Sequence, residues 1–347
     1  MQHINSILQE DLSSIAARFP HWEKLRDKSV LITGATGLIG SLLVRSLCAA
    51  PVPVTVIAHV RKEQKARAMF GDLPIRYCVG DVTAPISFGD PVDYIFHTAS
   101  VTASKTFVTQ PVETLATAID GTRNLLEFAR QKGVSSMVYV SSMEAFGITD
   151  PALERITEKD LGYIDILSVR SSYSEGKRIC ECLCAAYASQ YGLPVKIARL
   201  AQTFGPGVSP ADGRVFAQFT RACLEGRDIV LHTEGRSMGN YCYTADSIPG
   251  LLTILLKGEN AGAYTVVNER TTMPIRAVAQ LVSDTLTGGN TKIIFDIPES
   301  ALTYGYAPDV TMRLSGAKLR SLGWEPVTDL PQMFRRLAAS FREEDAL

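Results

Sequence analysis

Ser29-Val-Leu-Ile-Thr-Gly-Ala-Thr-Gly-Leu-Ile-Gly40 runs from a short apolar stretch into a glycine-rich turn, and Ser41 to Ala50 continues with the spacing of a helix. Strand, glycine turn and helix in this order make the first βα unit of a dinucleotide-binding sheet. Gly34 permits the tight turn, Gly37 lets the backbone come close to a pyrophosphate, and Gly40 lets the helix pack on the strand. The phosphate charge then rests on free amides at the helix N-terminus, so Thr36, Leu38 and Ile39 join the three glycines as cofactor-contacting positions.

The same alternation continues through Val54 to Val60, Tyr77 to Asp81, Val92 to Ala99 and Ser136 to Ser142, each followed by a helical pattern or a loop. Repeated β-then-α order predicts an α/β fold of the Rossmann type, a doubly wound parallel sheet with a smaller C-terminal substrate-binding lobe. Residues 29–198 are expected to form the dinucleotide domain, with a return near 240–268. Residues 199–239 and 269–347, where Gly/Pro loops such as Phe204 to Pro210 interrupt the pattern, are expected to form the lobe. Residues 1–28 carry Ile7, Leu8, Leu12, Ile15, Phe19, Trp22 and Leu25 at roughly helical spacing and predict a helical extension.

Composition narrows the function. The chain has 347 residues, 46% of them hydrophobic, 20% charged and a formal net charge of -1, which suits a globular enzyme and offers no strongly basic face for nucleic acid. No apolar run is long enough to span a bilayer, and Glu10 and Asp11 stand where a signal peptide would be apolar, so neither a membrane role nor export is expected and the cytoplasm is the expected location. Of the seven cysteines, Cys180, Cys182 and Cys184 fall two apart within a helical stretch, a spacing unsuited to zinc; free thiols and no metal site are expected.

Tyr173-Ser-Glu-Gly-Lys177 places a phenol and an ammonium four residues apart, on one face of a helix. A tyrosine titrates near pH 10 in water, so a neighbouring cation is the means of bringing its phenolate into working range. The strand Met137 to Ser142 ends in two serines at the sheet edge where ligands of open α/β folds bind. In the resulting reading Ser142 hydrogen-bonds the substrate oxygen, Tyr173 takes or returns its proton, and Lys177 holds the nicotinamide ribose. Cofactor choice falls at Val56-Ile-Ala-His-Val-Arg-Lys62, where no acid awaits a ribose hydroxyl. Arg61 with Lys62 tilts the choice between NAD and NADP towards NADP, and Asp81 and Val82 are placed beside the adenine.

Taken together, Thr33 to Gly40, Gly80-Asp-Val82, Phe96-His-Thr-Ala-Ser100, Gly121-Thr122, Val140 to Gly147, Tyr173 with Lys177, Arg199 to Gly207 and Leu322-Gly-Trp-Glu-Pro326 resemble the extended short-chain dehydrogenase/reductase superfamily. The resemblance covers about residues 29 to 325 and is to the NAD-dependent epimerase/dehydratase branch that modifies nucleotide sugars. It implies a substrate C4 hydroxyl that gives up and regains hydride, Thr98, Ala99 and Ser100 along the cofactor, and Ser142, Met143 and Gln202 against the substrate. It also implies a homodimer through two helices, expected over Val112 to Gln131 and Tyr173 to Tyr191.

Departures from the family pattern carry information. Dehydratases of this branch resemble Thr-Asp-Glu where this chain has Ser142-Met143-Glu144, and the Met143 thioether cannot donate the proton that eliminates water. Glu144 matches a glutamate shared with UDP-glucuronate decarboxylases and is a candidate catalytic residue. The arginine that those enzymes keep before Tyr-x-x-Asp is Gly239 here, so either Arg236 or Arg313 meets the diphosphate instead or the substrate carries less charge than a nucleotide diphosphate. The simplest reading is a 4-epimerase. Its alternatives are a decarboxylase using Glu144, an NADPH-dependent carbonyl reductase, and a non-catalytic protein that senses the dinucleotide.

Overall fold

The computed structural model describes residues 5–297 and 310–345. Its main sheet has seven parallel strands: β1 (Lys28–Thr33), β2 (Val54–Val60), β3 (Ile75–Val79), β4 (Tyr94–His97), β5 (Ser136–Ser142), β6 (Val195–Leu200) and, later in the chain, β10 (Ala263–Val266). Their spatial order is β10-β6-β5-β4-β1-β2-β3. The chain therefore winds outward in one direction from β1 and then returns to wind outward in the other from β4. The crevice between the ends of β1 and β4 is the switch point where such sheets bind ligands.

Period-2 alternation sends successive residues of β1 to opposite faces. Val30 and Ile32 join Leu42, Leu43 and Leu47 of α2 (Leu38–Cys48), Ala66 and Phe70 of α3 (Glu63–Phe70), and Ile248, Leu251 and Leu252 of α8 (Thr244–Lys257). Leu31, between them, packs with Leu125, Leu126 and Ala129 of α5 (Pro111–Lys132) and Cys180 and Cys184 of α6 (Ser172–Tyr191) on the other side. Both faces are covered, which is why the strands read as continuous apolar runs. The expected Rossmann-type doubly wound sheet is present, and the helices expected over Val112 to Gln131 and Tyr173 to Tyr191 are α5 and α6.

Three further strands, β7 (Gln202–Phe204), β9 (Met238–Tyr243) and β11 (Asn268–Pro274), form a second sheet in the order β11-β9-β7, and β8 (Ile229–Leu231) pairs with β12 (Ile293–Phe295). Helices α4 (Ser104–Thr109), α7 (Val215–Leu224), α9 (Ile275–Thr287), α10 (Ala317–Arg320) and α11 (Leu330–Asp345) complete the chain.

Near the N-terminus lies a helix, α1 (Ser6–Arg18), capped by the Asn5 side chain, which accepts from the amides of Ile7 and Leu8. What the periodicity did not reveal is the polar joint beneath it. Asp11 is 2% exposed and accepts from the Tyr243 hydroxyl at 2.7 Å and from Arg336 of α11 at 2.8 Å, and Arg18 pairs with buried Asp246 at 2.7 Å. Desolvation outweighs the lowering by Tyr243 and Arg336 and pushes the Asp11 carboxyl up to about 6. The extension is thereby tied both to the C-terminal helix and to the end of β9. Asp11→Ala leaves the Tyr243 hydroxyl and the Arg336 guanidinium short of a buried partner, and is expected to cost about 2 kcal/mol and lower Tm by roughly 5 °C in a thermal melt. An unchanged Tm would contradict this account of the joint.

Candidate active site

The glycine turn meets the end of β4 at close quarters. Gly34 has φ +62°, and a Cβ there would lie 2.7 Å from the Ala99 nitrogen. A Cβ on Gly40 would lie 2.2 Å from the Gly34 carbonyl oxygen. Both glycines are therefore required by backbone approach, while Gly37, with φ −82°, is exposed at the N-cap of α2 with no side chain capping it. Thr98 Oγ1 donates to the Thr33 carbonyl at 2.6 Å and the Ala99 amide donates to Thr33 Oγ1 at 3.3 Å, fixing the Thr98 to Ser100 segment against the turn that carries Thr36 and leads into Leu38 and Ile39 of α2. Free amides at a helix start, beside glycines with no side chains to obstruct them, fit a dinucleotide pyrophosphate.

Asp81 follows β3 and is held below the usual carboxylate range chiefly by the amide of Thr83, while the Val82 carbonyl accepts from Asn124 of α5 at 3.0 Å. Gly121 on α5 leaves room for Val82, whose Cγ2 would lie 3.0 Å from a Cβ there. Arg61 comes directly after β2, is exposed, and is close enough for its charge to act on Asp81.

Beyond β5 the chain turns into a short 3₁₀ segment, Met143–Phe146, for which Ser142 is the N-cap, its hydroxyl accepting from the Glu144 amide at 3.2 Å. Tyr173 stands in the first turn of α6, with Ser142 close enough to favour its ionised form. Burial and the Glu144 charge push its phenol up to about 12, against the lowering by Ser142, Arg170 and Arg214. Lys177, one turn on and 3% exposed, has its Nζ 5.7 Å from the centre of the Tyr173 ring and donates to the Val140 carbonyl at 2.9 Å. Desolvation lowers it to about 8. Lys177 thus stands one turn from Tyr173 with its ammonium engaged by the β5 backbone, and the charges of Arg170 and Arg214 also lower the phenol.

The helix is locked at this register from below. Glu181, one further turn along, accepts Ser141 Oγ at 2.6 Å and a two-point fork from Arg199 of β6 at 2.7 and 3.0 Å. His97, at the end of β4, bridges Thr33 at 2.7 Å and Thr122 at 3.2 Å, and burial holds its imidazole down to about 3, so it stays neutral. These bonds join the glycine turn, β4, β5, β6 and α6 into one support for the phenol.

Several contributors were not legible in the sequence. Glu144 does not stand free: Arg170 donates to both of its oxygens at 3.0 and 3.1 Å, and Ser174 donates at 3.0 Å. Phe107 of α4 stacks on the Tyr173 ring at 4.3 Å with the planes 9° apart. Arg214, before α7, reaches the neighbourhood of the phenol from a loop. Arg170 lies three residues before Tyr173, a helical-turn spacing that was open to sequence reading. Arg214 and Phe107 carried no such signal, because only the tertiary fold brings them in.

Of the expected substrate contacts, Met143 packs against the buried cluster around Phe146, and Gln202 begins β7 opposite Tyr241. Arg236 is exposed and lies 3.8 Å from Glu234, while Arg313 contributes its carbonyl to the Ile156 amide. Arg214 acts on the phenol through its charge while its guanidinium forks onto Asp212 at 2.6 and 3.0 Å. Gly239 has a structural reason of its own: a Cβ there would lie 2.4 Å from the hydroxyl of Tyr241, whose ring fills that space. Among the described residues no group of histidine, cysteine and acidic side chains is arranged to hold a metal ion, and no helix is long and apolar enough to cross a membrane.

The family model described as "NAD dependent epimerase/dehydratase family" matches residues 30–268. UDP-glucuronic acid decarboxylase 6 of Arabidopsis thaliana is 30% identical, the match covering 90% of this chain and 88% of that protein. UDP-glucuronic acid decarboxylase 1 of Xenopus tropicalis is 29% identical over 95% of this chain and 77% of its own length. Among solved structures, the UDP-glucose 4-epimerase of Thermus thermophilus in complex with NAD superposes with a TM-score of 0.74 at 24% identity, covering 90% of this chain and 99% of that one.

Proposed function

Because the chain belongs to the NAD-dependent epimerase/dehydratase family, we propose that it oxidises the C4 hydroxyl of a nucleotide sugar and then lets a uronic acid carboxylate leave as carbon dioxide before the C4 ketone is reduced again. The meeting of Ser142, Tyr173 and Lys177 beside the glycine turn carries the redox half of this reading. NAD supplies the hydride acceptor when bound. Ser142 holds the C4 oxygen, the Tyr173 phenolate takes its proton, and Lys177, one turn on from Tyr173, would hold the nicotinamide ribose.

A ketone at C4 stands β to the carboxylate on C5, so the bond to carbon dioxide breaks with its electron pair passing to the ketone oxygen as an enolate, and C5 then takes a proton from water, which restores the ketone that hydride reduces. No base is then needed at C5. This agrees with Glu144, whose two oxygens are already taken by Arg170 and Ser174, and with Met143, which has no proton to give for loss of water. The similarity to UDP-glucuronic acid decarboxylases over nine-tenths of the chain favours this outcome over the simple 4-epimerase that the sequence suggests. One observation favours the 4-epimerase as the second reading: at Gly239, β9 presents no cation to a carboxylate and is closed by Tyr241.

The cofactor preference belongs to the same reading. Arg61 at the end of β2 suits a 2′-phosphate, and NADP is the expected partner beside NAD. A homodimer through the outer faces of α5 and α6, where Val112, Ile179 and Tyr191 are exposed, is also part of it.

The test is to incubate the protein with UDP-, dTDP-, CDP- and GDP-linked sugars and uronic acids, with NAD and NADP in parallel, and to read product masses with isomer separation. Loss of carbon dioxide is the expected result. An isomer of unchanged mass would replace it with the 4-epimerase, and net consumption of added NADPH with no sugar nucleotide present would move the assignment to a carbonyl reductase.

A further inference from the structure

We propose that Arg170 is a positioning residue for the proton transfer: held over Phe107, it forks onto Glu144 and cancels that carboxylate's charge beside the Tyr173 phenol, which lets the phenol serve as the base. The proposal rests on the reading of Tyr173 as the proton acceptor.

The geometry is a closed arrangement of four side chains from four places in the chain. Glu144 lies on the 3₁₀ turn after β5, Arg170 on the short turn Val169–Ser171 that leads into α6, Phe107 on α4, and Tyr173 at the start of α6. The Arg170 guanidinium meets Glu144 through two nitrogens, at 3.0 and 3.1 Å, the two-point geometry in which an arginine is hardest to replace. It also lies 4.8 Å from the centre of the Phe107 ring, and that ring is stacked on Tyr173. Ser172 donates to the Phe107 carbonyl at 3.0 Å, pinning α4 to the same turn. Arg170 is thus fixed at once against the acid and against the aromatic that covers the base.

Position alone does not make this a matter of charge, but the sign of each neighbour does. Around Tyr173, Glu144 opposes the phenolate, while Arg170, Arg214 and the Ser142 side chain favour it. Lys177 lies 5.7 Å from the ring centre but spends a hydrogen bond on Val140, and it lies closer, at 5.0 Å, to the ring centre of Tyr139 on β5. A carboxylate beside a phenol that must ionise is a hindrance unless it is neutralised, and the cation placed to do so is Arg170.

The experiment is a charge cycle on the NAD-loaded protein, reading the ionisation of Tyr173 from the carbon-13 shift of labelled tyrosine, with Tyr173→Phe identifying the signal, and the acid limb of the pH–rate profile where turnover is found. Arg170→Ala exposes Tyr173 to the full Glu144 charge, so its ionisation and the acid limb are expected to move to higher pH by about one unit or more. Arg170→Ala combined with Glu144→Gln removes both charges and is expected to bring the ionisation back to within a few tenths of a unit of the wild type. Arg170→Lys keeps the charge without the fork and is expected to fall between. A purely structural role for Arg170 would lower the rate at every pH without moving either readout. An unmoved Tyr173 ionisation in Arg170→Ala, or a shift that Glu144→Gln fails to reverse, overturns the proposal. The titration needs no substrate, so failure to turn over any nucleotide sugar counts against the substrate reading and leaves this test intact.

Discussion

Replacing Tyr173 with phenylalanine is expected to lower kcat by roughly 10²–10⁴-fold while leaving the fold, the melting temperature and dinucleotide binding close to those of the wild type. The change removes one oxygen. The ring keeps its stack on Phe107, 4.3 Å away, and the Lys177 ammonium keeps its bond to Val140. What is lost is the group that can accept a proton from a substrate hydroxyl, a loss of roughly 3–5 kcal/mol of transition-state stabilisation. Ser142 retains the Glu144 amide as a donor, so no buried group is stranded. The check is a single-turnover measurement of reduced nicotinamide on the substrate identified from the panel. A Tyr173→Phe protein that reduces the cofactor as fast as the wild type would remove the tyrosine from the chemistry altogether.

The second large effect lies in the glycine turn, where two substitutions separate two causes. Gly40→Ala drives a methyl group to 2.2 Å from the Gly34 carbonyl oxygen and 2.9 Å from Thr98 Oγ1. Gly34 has no room to yield, being itself pressed on the Ala99 backbone in a left-handed conformation. The turn must open, and loss of both stability and cofactor binding is expected. Gly37→Ala differs: its φ of −82° is ordinary for alanine, and its Cβ would meet only the Gly34 oxygen, at 3.3 Å. Thermal stability is therefore expected to change little, while affinity for NAD falls by about 10²-fold because the methyl group stands where the pyrophosphate must approach. Calorimetric titration with NAD beside a thermal melt distinguishes them. Equal losses of stability in both variants would mean that Gly37 serves the turn rather than the ligand.

The tyrosine and the glycines were legible in the sequence because their requirements are local. A left-handed turn demands glycine wherever the rest of the chain goes, and four residues of helix bring Tyr173 and Lys177 to one face by geometry alone. Ser142 was legible by its place at the end of a strand. Glu144 was visible as a residue but its environment was not, since that depends on Arg170, which reaches it only when the turn before α6 folds over the end of β5. Arg214 and Phe107 were invisible for the same reason.

The N-terminal extension divides in the same way. Its helical periodicity marked α1, yet nothing in residues 3–28 announced that Asp11 would be buried against Tyr243 and Arg336, more than two hundred residues away. Likewise Gly239 reads as a missing side chain in the sequence, whereas in the fold it is the space that the Tyr241 ring requires.

By itself, then, the sequence determined the doubly wound sheet, the glycine turn and the placement of Tyr173 and Lys177 on one helix face, because each follows from periodicity and backbone conformation within a few residues. The tertiary structure alone decided the electrostatics of the site: that the charges of Arg170 and Arg214 bear on the phenol, that Glu144 is paired, and that Lys177 donates to the backbone of β5. The physical reason is that charge–charge energies depend on distance and burial, and residues far apart along the chain acquire both only when the elements carrying them pack.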